Sequence, residues 1–65
     1  MIDIGSYWRD SNNFIWVDIY GVFKVKDYED NYVMLSGEGI HLVKVSIDEF
    51  FKNFTKLTSL EVELL

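Results

Sequence analysis

The pattern of apolar and polar residues changes period once, at Ser46. Before it, apolar and polar residues alternate in short runs, the period of strands with one face buried. After it, Ile47, Phe50, Phe51, Phe54 and Leu57 recur at steps of three and four and form one apolar helical stripe. Ser46 and Glu49 stand at the spacing of a capping box, in which hydroxyl and carboxylate each satisfy a backbone N–H at the helix start. This predicts a helix over about residues 46–57, facing a sheet through Phe50, Phe54 and Leu57.

Upstream, Ile2 and Ile4 alternate with Asp3 as on an edge strand, which Tyr7, Trp8 and Arg9 continue. Asp10-Ser11-Asn12-Asn13 marks a turn, because these side chains bond nearby backbone and tolerate left-handed dihedrals. Phe14 to Tyr20 alternates again, with Ile15, Val17 and Ile19 expected in the core and Phe14, Trp16, Asp18 and Tyr20 on the other face. Gly21 has no polar turn around it and suggests a bulge or sharp bend. Val22 to Lys26 puts Phe23 and Val25 inward and Lys24 and Lys26 outward. Asp27 to Asn31 is a polar loop around Tyr28, Tyr32 to Ser36 is a strand, and Gly37-Glu38-Gly39 is a tight turn supplying positive φ. Ile40 to Val45 is a further strand, and the alternation in Leu60 to Leu65 predicts a last one.

The expected class is α+β, mainly β: five or six short strands and one helix before a final strand. They form either a small antiparallel barrel with the helix over one open end or a curled sheet with the helix across one face. Gly5-Ser6-Tyr7-Trp8, a polar turn, Phe14-Ile15-Trp16-Val17, then Ser46-Ile47-Asp48-Glu49-Phe50 with Phe54 resembles small, mostly uncharacterised phage and bacterial domains with SH3-like barrels. The resemblance spans roughly residues 5–54. It departs at Asn12-Asn13, where those domains carry glycine, and in the strand after the helix. It implies an SH3-like fold and a phage or prophage setting.

Sixty-five residues make a single small domain, 1–65, and a chain this short buries only about 60% of its unfolded surface. Without cysteine there is no disulfide, and a single histidine gives no zinc-finger spacing. Stability then rests on apolar packing or on a second chain. With 49% hydrophobic residues and eleven Phe, Tyr or Trp, self-association into a homodimer or larger assembly is expected. The apolar runs are far shorter than the roughly 20 residues that span a bilayer, and no basic start with an apolar segment precedes a cleavage site. A cytoplasmic protein is expected, in a bacterial host cell if phage-encoded.

Eleven acidic against six basic residues give a net charge of −5, which opposes nucleic acid and anionic membrane. The basic residues Arg9, Lys24, Lys26, Lys44, Lys52 and Lys56 look dispersed along the chain. The lone histidine, His41, lies in a strand and has no nucleophile motif to serve. Gly37-x-Gly39 lacks the third glycine and the following helix of a phosphate cradle. Asp27, Glu29 and Asp30 loosely suggest a calcium loop, but Tyr32 stands where that loop needs glycine, so they read as a solvated acidic loop. No enzyme, cofactor or metal is expected.

The aromatics Trp8, Trp16, Tyr20, Tyr28 and Tyr32 remain, either as packing or as a contact surface. Aromatics beside carboxylates suit a protein with a basic surface better than they suit nucleic acid. The expected contact residues are Asp27, Tyr28, Glu29, Asp30, Tyr32, Trp8 and Trp16. The expected role is a non-enzymatic acidic module, a phage-encoded inhibitor or nucleic-acid mimic that blocks a basic site on a host protein. The alternative is an assembly subunit that self-associates through apolar strand edges.

Overall fold

The computed structural model describes residues 2–15, 21–37 and 40–65. The elements in chain order are β1 (Tyr7–Asp10), β2 (Val22–Tyr28), β3 (Tyr32–Gly37), β4 (Ile40–Ser46), α1 (Ile47–Asn53), β5 (Phe54–Lys56) and α2 (Ser59–Glu63). The strands form one antiparallel sheet in the order β4-β3-β2-β1-β5. The protein is thus a small, mainly β member of the α+β class. The sheet is open, with β4 and β5 at its edges, and α1 packs against β3, β4 and β5.

Alternation decides which face is buried. Residues directly opposite in an antiparallel pair share a face, so the register places Trp8 with Phe23, Val25 with Leu35 and Val43, and Val33 with Val45. Phe23, Val25, Val33 and Leu35 are almost wholly buried, in agreement with the inward positions read for Phe23 and Val25. Phe50 of α1 completes this core at 0% exposure, its ring 4.4 Å from that of Trp8 and 5.3 Å from that of Phe54. Leu57 is buried nearby. The Trp8 indole N–H donates to Ser6 Oγ at 2.9 Å, so the buried ring keeps a polar partner.

The turn after β1 is as expected, and Asn13 takes a left-handed φ of 52°. Phe14 and Ile15 lie outside any strand. The Asp10 carboxylate, 9% exposed, accepts the Phe14 N–H on Oδ1 and the Ile15 N–H on Oδ2, both at 2.7 Å, and so holds these amides in a loop. The rest of the strand expected to Tyr20, Trp16 included, lies outside the described residues. Gly21 takes a left-handed φ of +63°, and its carbonyl accepts the Asp10 N–H at 2.7 Å.

Four expectations are corrected. Residues 2–5 form no strand: the chain turns at Ile4 and Gly5 (φ +90°), burying Ile2 and leaving Ile4 62% exposed. Gly37 ends β3 rather than supplying positive φ, and a Cβ there would lie 2.8 Å from two ring carbons of buried Phe23; Glu38 and Gly39 lie outside the described residues. The helix stops at Asn53, not near residue 57. Asn53 Nδ2 donates to the Glu49 carbonyl and to Glu49 Oε2, both at 2.9 Å, and Phe54 to Lys56 turn extended to pair with β1. This uses the Glu49 carboxylate, so Ser46 caps α1 through Oγ alone, accepting the Glu49 N–H at 3.3 Å. Finally, the segment from Ser59 is helix α2, not a closing strand. Thr58 and Glu61 form a complete capping box: Oγ1 accepts the Glu61 N–H at 3.2 Å and Glu61 Oε1 accepts the Thr58 N–H at 2.9 Å.

Candidate functional site

The β2–β3 turn carries the most concentrated exposed carboxylates. The Glu29 N–H donates to the Tyr32 carbonyl at 2.8 Å and closes the hairpin. The Asn31 carbonyl accepts the Ile47 N–H at 2.9 Å and ties the tip to the start of α1. The register slips between Val25 and Asp27, so Lys26 is an extra residue in a bulge, and Asp27 Oδ1 accepts the Tyr28 N–H at 2.8 Å. A loop pinned to two elements holds its side chains in place.

The register parts the two tyrosines. Tyr28 lies opposite Val33, on the core face, and reaches past the sheet toward α1. With Ile2, Glu29, Asp30, Ile47 and Phe51 it lines a groove of about 290 Å³. Tyr32 lies opposite Ser46, on the other face, with the Lys44 ammonium 4.4 Å from its ring centroid. A smaller cleft of about 230 Å³ runs between Asp30, Asn31, Tyr32, Ser46, Ile47 and Asp48. Glu29, Asp30 and Asp48 therefore rim two adjoining depressions, while Tyr28 and Phe51 leave 41% and 53% of their surfaces exposed. Among the described residues the ion pairs are Arg9 with Glu61 and Lys56 with Asp3, so none involves this rim.

Of the residues expected to meet a partner, Tyr28, Glu29 and Asp30 come together at the groove. Asp27 and Tyr32 flank it from the outer face. Trp8 is in the core, 8% exposed, and away from this groove's lining. Trp16 lies outside the described residues. Phe51 and Asp48 belong to the rim and were missed. Phe51 lies at the edge of the apolar helical stripe: its ring meets Trp8 and Phe50 edge-on while 53% of its surface stays exposed.

The groove offers apolar contact beside unpaired carboxylates, an arrangement that suits a cationic chain with apolar flanks. The side chain of His41 lies outside the described residues. Among the described residues no group of three or more His, Cys, Asp or Glu is placed to hold a metal ion, and no helix is long and apolar enough to cross a membrane. Compared with known proteins, the chain matches no family model, no curated protein and no solved structure.

Proposed function

We propose that this chain is a non-enzymatic binding module that seats a basic segment of a protein partner at the β2–β3 tip. The observation that carries the reading is the groove of Ile2, Tyr28, Ile47 and Phe51 bordered by Glu29 and Asp30. Exposed aromatic area supplies contact at low entropic cost, and rim carboxylates steer a cationic partner inward. In a phage setting such a module acts as an inhibitor that occupies a basic host surface. The meander β1 to β4, with β5 returned beside β1, supports the SH3-like reading of the fold. Self-association is a second reading, favoured by the seven-residue edge strand β4 with Leu42 57% exposed.

The test is a titration of the isotope-labelled protein with a short peptide of alternating lysine and leucine. Amide shifts confined to residues 28–31 and 47–51 are expected, with affinity falling as salt rises. Changing Asp27, Glu29 and Asp30 together to Asn, Gln and Asn slows association and flattens the salt dependence. Tyr28→Ala speeds dissociation. Shifts spread elsewhere, or an association rate indifferent to the triple change, refute the reading.

A further inference from the structure

The strand register gathers cations that look scattered in the sequence. On the face opposite α1, Tyr7 pairs with Lys24 and Lys24 with Ser36, Arg9 pairs with Val22, and Met34 lies between Asp27 and Lys44. Lys26 projects from the bulge beside Asp27 and is exposed. Four of the six basic residues thus share one face with Tyr7 and Tyr32. Among the described residues, the carboxylates on or beside this face are Asp27 in the bulge row, Glu61, which pairs with Arg9 at 3.2 Å, and Asp30 and Asp48, which line a cleft with Tyr32 at its edge. Each tyrosine carries a lysine near its ring: Lys24 at 5.7 Å from the Tyr7 centroid and Lys44 at 4.4 Å from that of Tyr32. From strand rise and spacing, the two tyrosines are about 16 Å apart.

We propose that this outer face binds single-stranded nucleic acid, with Tyr7 and Tyr32 as stacking platforms and Lys24, Lys26 and Lys44 on the phosphates. Aromatic rings interleaved with cations are the two components such surfaces combine, and the tyrosine spacing suits a strand of about four nucleotides or more. An acidic peptide would satisfy the lysines but leave the rings unused. The net charge of −5 does not prevent binding. At physiological salt, charges are screened over about 8 Å, whereas the molecule measures 31 × 25 × 21 Å and carries Glu29, Asp30 and Asp48 at the tip and helix side. This inference is independent of the groove at the tip, and its test separates the two.

The experiment is fluorescence anisotropy of labelled twelve-nucleotide oligo(dT) and oligo(U) in about 50 mM salt. Three lysines on single-strand phosphates give a slope of log affinity against log salt of about −2. Lys24→Glu with Lys44→Glu is expected to weaken binding at least tenfold with an unchanged far-ultraviolet spectrum, and Tyr32→Ala about tenfold, while Tyr32→Phe keeps the affinity. Asp27→Asn strengthens it, and Glu29→Gln with Asp30→Asn does not abolish it. Any of three results overturns the proposal: no binding at millimolar protein, equal affinity for a twelve-base-pair duplex, or binding unaffected by Tyr32→Ala. Equal displacement by poly-glutamate also overturns it and marks the face as a site for acidic protein.

Discussion

Phe50→Ala tests the core at its centre. The ring is fully buried between Trp8 and Phe54. Transfer of a buried phenylalanine is worth about 1.5–3 kcal/mol, and each well-oriented aromatic pair adds about 0.5–1.5 kcal/mol. The cavity left behind adds to both, because sheet and helix cannot fully collapse onto the vacated space. The expected loss is about 3–5 kcal/mol. A domain of this size without disulfide or metal has about 3–5 kcal/mol in all, so Phe50→Ala should be largely unfolded at 25 °C. Phe50→Leu leaves a smaller void, costs about 1–2 kcal/mol, and keeps a measurable transition. Urea unfolding followed by tryptophan fluorescence and far-ultraviolet circular dichroism gives the comparison. Phe51→Ala is the comparison: its ring is 53% exposed but meets Trp8 and Phe50 edge-on, so its loss should be about 1–2 kcal/mol, clearly below that of Phe50→Ala. A Phe50→Ala protein that melts like the parent, or a Phe51→Ala protein as damaged as Phe50→Ala, would refute this account of which aromatic is inside.

Two further outcomes concern the segments that the sequence pattern misplaced. Asp10→Asn keeps the shape but sets an amide group against a backbone N–H, so stability should fall by about 1–3 kcal/mol, with the Phe14 and Ile15 amide resonances moving most; unmoved resonances would mean the loop is held by something else. The Glu61 carboxyl is held below its ordinary range first by the Thr58 N–H, then by the Thr58 hydroxyl and by Arg9. A depressed carboxyl stabilises above its unfolded pKa and loses that contribution as pH falls through its folded pKa, so α2 should stay capped at neutral pH and fray as the solution is acidified below about pH 4.3. Hydrogen exchange at Val62 and Leu64, whose N–H groups bond back to Thr58 and Glu61, reports it; protection unchanged between neutral and strongly acid solution would count against the cap.

What the sequence determined by itself is local. The Ser46 cap, the turn at Asp10 to Asn13, the left-handed backbone at Gly21 and the inward set Phe23, Val25 and Phe50 follow from residues acting on their own backbone or from the strand and helix periods. The exposed acidic tip at Tyr28 to Asp30 was legible for the same reason, because a short polar run between strands has nowhere to go but the surface. Where two local readings competed, the tertiary structure chose. Phe54 to Lys56 continues a helical stripe by spacing, yet β1 offered those residues an unpaired edge, and backbone pairing there outweighed one more turn of helix. Leu60 to Leu65 alternates like a strand, but the Thr58 and Glu61 capping box starts a helix, and Leu60, Leu64 and Leu65 stay exposed. The full outer face was beyond a reading of the linear order. Lys24 and Lys26 share a face by alternation alone, but Arg9 and Lys44 lie far from them along the chain and become their neighbours only through register, because pairing sets which side chains share a face of the sheet.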